Sequence, residues 1–127
     1  MNNIIIIDSK NNESLVIKNK SVIIINSNNL NIFFENTNNF IIIHSSKNIK
    51  IKGHKMIGGC EIHKSNNIIL ELNEIPYNLE ISYSSNVKLN SKYTNNELFY
   101  YIINCLDIKI NQHKINCNPW VSIKNIL

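Results

Sequence analysis

No arginine occurs anywhere in this chain, although thirteen lysines do. Arginine is the residue that grips phosphate and guanine in two-point fashion, and a lysine does not replace it there. The net charge of +4 therefore does not point to nucleic acid: the lysines are scattered, and aromatic residues are not interleaved with them. Cysteines number three, Cys60, Cys105 and Cys117. An odd number with no C-x-x-C spacing argues against a disulfide framework and a thiolate zinc site, and it fits a reducing, cytoplasmic setting. With only three glycines there is neither a phosphate-cradling loop nor a G-x-S-x-G elbow. Nor is there a long apolar run. The four isoleucines Ile4 to Ile7 are too few for a secretory core or a bilayer span, so no membrane association is expected and they read as a first strand.

What is present is a repeat. A small residue, any residue, Asn or Asp, then apolar, any, apolar recurs five times, beginning at Ser27, Ser46, Ser65, Ser84 and Cys105. The spacings are 19, 19, 19 and 21 residues. Before each phrase lies an alternating run, with apolar pairs Val22 and Ile24, Ile41 and Ile43, Cys60 and Ile62, Leu79 and Ile81, Tyr100 and Ile102. Alternation of period two marks a strand half-buried on one face. Each repeat thus reads strand, corner, strand. The unit is too short for a helical repeat of roughly 33 or 34 residues, but it suffices for one turn of a parallel β-helix. Asn suits the corner because it tolerates left-handed backbone angles, and Ser bonds neighbouring backbone.

At 127 residues, 43% of them hydrophobic and 17% charged, the chain is one globular domain. The expected architecture is all-β: a right-handed parallel β-helix of about six coils over residues 4–110. Ser9, 18 residues before Ser27, reads as the corner serine of the first coil, Asn11 to Ser14 is expected to loosen that corner, and the glycines Gly53, Gly58 and Gly59 are expected to lie outside the strands. Residues 113–127 no longer repeat the phrase, and residues 108–127 are expected to form a terminal cap or swapped hairpin over an open strand edge. That edge makes Ile108, Ile110, Ile115, Trp120, Val121 and Ile123 candidates for homodimerisation.

Stacking the coils lines side chains into columns. Outward on one sheet stand Glu61 and Glu80 beside His44 and His63; on the other stand Lys50, Lys88, Lys52 and Glu71. Glu61 directly beside Glu80 is a like-charge pair that a purely structural ladder avoids. Ile5, Ile7, Ile23, Ile25 and Ile42 are expected to form an outward apolar patch. The His44–His63 column raises a metal pair or an acid–base dyad, with only Glu61 and Glu80 to help; solvated ladder histidines are the expectation, with no metal and no cofactor. Sugar-cleaving β-helices need clustered carboxylates, whereas Asp8 and Asp107 stand far apart along the axis. A binding surface without a catalytic set is expected.

The register resembles a known family, the C-terminal β-helix (CARP) domain of the cyclase-associated proteins, adenylyl-cyclase-associated regulators of actin. Ser21 to Ser27 resembles that family's strand ending in an Asn-Cys corner. Cys60-Glu61-Ile62-His63-Lys64-Ser65 through Glu74-Ile75-Pro76 resembles its Val-Glu-Ile, corner, strand and Val-Pro segment, and Cys105 to Ile110 its final rung. Serines stand where the family has corner cysteines. Lacking the N-terminal helical domain and proline-rich linker, the chain looks like a short protozoan-type member. The resemblance implies a cytoplasmic, cytoskeleton-associated protein that binds monomeric actin, preferably with ADP, and promotes its exchange for ATP. Lys50, Lys52, Glu71 and Lys88 are then the candidate contact face, with Glu61, His63 and Glu80 the competing one. A sister family, the tubulin cofactor C domain, shares the β-helix and supplies an alternative: binding to a small GTPase or tubulin chaperone. Its catalytic arginine has no counterpart here, where Gly59-Cys60-Glu61-Ile62-His63 is the nearest match, so arginine-finger activity is excluded.

Overall fold

The computed structural model describes residues 3–35, 38–74, 76, 78–93, 99–115 and 121–124; for 38, 93 and 121–124 it describes the backbone alone. The strands are β1 (Ile4–Asp8), β2 (Asn11–Ile17), β3 (Ser21–Ile25), β4 (Asn28–Phe34), β5 (Asn38–His44), β6 (Lys47–Gly53) and β7 (Met56–His63). There follow β8 (Asn66–Glu74), β9 (Asn78–Ser82), β10 (Ser85–Tyr93), β11 (Phe99–Ile103), β12 (Leu106–Ile110), β13 (His113–Ile115) and β14 (Val121–Lys124). Odd-numbered strands from β1 to β11 stack in parallel as one sheet and even-numbered strands from β2 to β12 as a second. The fold is the expected right-handed parallel β-helix, six two-strand rungs long.

The corners explain why the chain takes this path. In each phrase the residue two after the small one is left-handed: Asn29, Asn48, Asn67, Asn86 and Asp107 have φ between 54° and 60°. The residue before it is left-handed too, with φ from 48° to 52° at Asn26, Ser45, Lys64, Tyr83 and Asn104. Two such residues around one extended pair swing the chain from the first sheet to the second. The small side chain lies inside the bend. Ser65 Oγ donates to His63 O at 2.9 Å and accepts from Ser46 N at 3.2 Å. Ser27, Ser46 and Ser84 donate in the same way to the carbonyl two residues back, and Cys105 Sγ does so to Ile103 O at 3.2 Å. Among the described residues no buried side-chain N or O lacks a partner. Outside the bend, Asn amides bond from rung to rung, as in Asn67 Nδ2 to Asn48 Oδ1 at 2.7 Å.

Between the sheets lies the core. The inward columns Val22–Ile41–Cys60–Leu79–Tyr100 and Ile24–Ile43–Ile62–Ile81–Ile102 are buried, and so are their counterparts Leu30–Ile49–Ile68–Val87–Ile108 and Ile32–Ile51–Leu70–Leu89–Ile110. Each such side chain contributes about 1.5 to 3 kcal/mol of burial, most of it offset by the entropy of ordering the chain. A third inward column on the second sheet sets Gly53 beside Phe34, whose Cβ lies 3.3 Å from where a glycine Cβ would stand. The glycine makes room for the buried ring.

Two details differ from the sequence reading. First, the opening rung steps by 17 residues, since Ile4 pairs with Ser21 and Ile7 with Ile24. Lys10, not Ser9, therefore lies opposite Ser27, whose Oγ accepts from Lys10 N at 3.1 Å. A shift of one residue exchanges the faces of a strand, so Ile5 and Ile7 point inward and the outward patch contains Ile4 and Ile6 beside Ile23, Ile25 and Ile42. The corner is not loose either, because β2 begins at Asn11. Second, all three glycines lie inside strands: Gly53 closes β6, and Gly58 and Gly59 lie in β7, where the pairing with β5 shifts register and Gly59 has φ 105°. One extra residue forms a bulge there, and a Cβ on Gly59 would meet Asn78 O at 2.9 Å. At the C-terminal end β13 adds antiparallel to β12 and β14 antiparallel to β11. Each sheet thus ends on a reversed strand.

Replacing Ser65 by Ala removes the acceptor of the buried Ser46 N–H and is expected to cost about 1 to 3 kcal/mol in urea unfolding. Ser65→Cys, which repeats the arrangement at Cys105, is expected to cost less than half as much. Equal losses would show that volume, not the hydrogen bond, sets the corner.

Candidate functional site

The outward columns form two faces. On the second sheet, the pairing of β4, β6, β8 and β10 aligns Asn31, Lys50, Ile69 and Lys88, and beside them Phe33, Lys52, Glu71 and Asn90. Lys50 Nζ lies 3.2 Å from Glu71 Oε1, and Lys52 neighbours Glu71 in register. Both partners of the ion pair are well exposed, so it contributes between zero and about 1 kcal/mol and leaves the charges available to another molecule. The structure brings the four residues Lys50, Lys52, Glu71 and Lys88 onto one surface.

It adds Val16, which the sequence reading passed over, beside Phe33, which the period already placed in this outward column. Val16 pairs with Phe33, and they are 66% and 43% exposed. Together with Lys50 and Lys52 they line a shallow groove of about 320 Å³. The Phe33 ring meets His54 edge-on at 6.5 Å, and His54 Nδ1 lies 2.7 Å from Asn73 Nδ2. An exposed aromatic held by a neighbour and ringed by lysines is an anchor of the kind that protein interfaces use. The signal was in the sequence: Phe33 breaks the polar run of its outward column.

The first sheet carries the other face. Glu61 pairs with Glu80 and His63 with Ser82 between β7 and β9, and His44 pairs with His63 between β5 and β7. His63 Nε2 lies 3.1 Å from Glu61 Oε1, and its Nδ1 lies 2.6 Å from Ser82 Oγ. One donor atom each from Glu61, His63 and Glu80 falls within 4.8 Å of the others. His44 is turned to its own corner, with Nδ1 2.7 Å from Ser45 Oγ, and its ring centre lies 6.3 Å from that of His63. Like charges directly opposite on adjacent strands destabilise the pairing. Beside the carboxylates, the bulge opens a groove of about 290 Å³ lined by Gly58, Gly59, Asn78, Phe99 and Tyr101 among others.

The candidates for self-association sit elsewhere. Ile108 and Ile110 are fully buried core residues of β12, and Ile115 on β13 is buried against them. Their side chains are occupied within the chain, which leaves the backbone edges of β13 and β14 as what the C-terminal end offers. Trp120 lies outside the described residues, and Val121 and Ile123 belong to β14. Cys60 and Cys105 are buried free thiols. Burial, helped by the neighbouring Glu61 carboxylate, pushes Cys60 from 9.0 up to about 12. Burial raises Cys105 as well, against hydrogen bonds to backbone that lower it. Neither is a nucleophile at neutral pH.

Compared with protein-family models, with curated proteins and with solved structures, the chain matches none.

A thiol raised in the folded state keeps its proton where the unfolded chain has released it. Stability from Cys60 is therefore complete below pH 9.0 and is lost as pH rises toward about 12. Cys60→Val is expected to flatten this alkaline slope, by up to about 1.4 kcal/mol per pH unit, in urea unfolding followed across that range. An unchanged slope would show that Cys60 does not set it.

Proposed function

We propose that this protein binds monomeric actin, with preference for the ADP form, and speeds replacement of ADP by ATP without catalysis of its own. The observation that carries the reading is the corner. Cys105 stands in register with four serines and repeats their hydrogen bond to the carbonyl two residues back. Serine and cysteine are thus interchangeable at that position, which supports equating this repeat with the Asn-Cys corners of the cyclase-associated β-helix. The setting is then the reducing cytoplasm, alongside the cytoskeleton.

The contact face in this reading is the second sheet: Lys50, Lys52, Glu71 and Lys88 supply charge of both signs, and Phe33 with Val16 supplies the apolar anchor. Binding drives exchange only if the face binds the open, exchange-competent state of actin more tightly than the closed state. Glu61, His63 and Glu80 make the competing face. Self-association proceeds by pairing at the β13 and β14 edges.

Release of a fluorescent ADP analogue from actin monomers tests this. Saturating protein is expected to accelerate release several-fold. Charge reversal of Lys50, Lys52 and Lys88 to Glu, or Phe33→Ala, is expected to weaken the effect at least tenfold, while Glu80→Gln leaves it unchanged. Unchanged ADP release with no monomer binding would sink the proposal. Capture of a small GTPase or tubulin chaperone, with actin left behind, would replace it by the tubulin-cofactor reading. For the dimer, light scattering is expected to give twice the 14.7 kDa chain mass, and a monomer persisting at high concentration would exclude it.

A further inference from the structure

We propose that Glu61, His63 and Glu80 form a binding site for a divalent transition-metal ion, Zn²⁺ by preference. The proposal is independent of actin binding. A parallel ladder brings the three together: Glu61 and His63 are alternate residues of β7 on one face, and Glu80 is Glu61's register partner on β9. One oxygen or nitrogen from each lies within 4.8 Å of the others, so small rotations of flexible side chains close them onto one ion. One imidazole nitrogen and two carboxylate oxygens are a set that zinc accepts, with the fourth position left to water or an outside ligand.

Two independent features point the same way. Ser82 Oγ lies 2.6 Å from His63 Nδ1. Without an ion, Nε2–H donates to Glu61 Oε1 at 3.1 Å and Nδ1 accepts from the Ser82 hydroxyl; an ion at Nε2 displaces that proton, and Nδ1–H then donates to Ser82 Oγ. Orientation of a ligand histidine through its second nitrogen is a regular feature of metal sites. The carboxylates are also short of cations. Lys50 pairs with Glu71 and Lys55 with Glu74, but among the described residues neither Glu61 nor Glu80 has a lysine within 4.0 Å. A bound cation supplies that missing charge and turns the repulsive pair into two ligands. The groove opened by the Gly58–Gly59 bulge adjoins the same carboxylates and gives an outside ligand access to the fourth position.

Isothermal titration of the intact protein with Zn²⁺, and with Co²⁺ followed by its visible ligand-field bands, tests the site. One ion per chain is expected, with cobalt bands of tetrahedral intensity. Glu61→Gln, Glu80→Gln and His63→Gln are each expected to weaken binding at least tenfold, and Ser82→Ala roughly tenfold through loss of orientation. Glu71→Gln, a carboxylate of the other sheet, is expected to bind as the parent does. The substituted side chains point outward, and a β-type circular dichroism spectrum confirms that each variant is folded. Absence of binding, or binding untouched by the three ligand substitutions, overturns the proposal. Loss with His63→Gln alone, both glutamate variants binding normally, also overturns it, because the ion would then be held by histidine without the carboxylates.

Discussion

Everything in this protein depends on a corner that can be repeated without drift. A strand that leaves one sheet must enter the other at the same height each time, or the columns of side chains lose their partners. Two left-handed residues and one small inward side chain meet that requirement. The hydroxyl of each corner serine is shared between its own strand, whose carbonyl it bonds, and the neighbouring rung, whose N–H it receives. Local bend and inter-rung register are therefore set by the same atom. Exposed asparagine amides reinforce the link from outside.

Much of this was legible in the sequence because the corner chemistry is local and periodic. Nineteen-residue spacing, alternation and the Ser-x-Asn phrase together specify which side chains face inward, and all four inward columns lie where the spacing puts them. The opening rung was misread because Ser9 resembles a corner serine. Only the pairing shows that Lys10 holds that position, and the faces of Ile5 and Ile7 follow from that one step. The glycine pair was misread for a related reason. A bulge adds a residue inside a strand, and periodicity sees it as a loop.

The outward faces were legible only in part. Column membership of Lys50, Lys52, Glu71, Lys88, Glu61, His63 and Glu80 follows from the period, and the pairing agrees. Side-chain geometry does not follow from it. That His63 bonds Ser82 across the ladder and faces Glu61 along its own strand depends on rotamers that no repeat encodes. The period puts Phe33 in an outward column, but it does not put Val16 beside it, since that pairing depends on the first rung's true register.

Because each rung touches only the rungs beside it, the length of the solenoid is not fixed by its core. A duplication or excision of one whole nineteen-residue unit keeps every inward column intact, whereas a gain or loss of eighteen turns a rung inside out. Growth of such a protein is therefore quantised. The rung bearing Glu61 and His63 is the informative unit to copy: its duplicate would extend the carboxylate pair into a row along the axis, at the strand separation of about 4.8 Å. A single change in copy number would then multiply a surface feature without redesigning the interior.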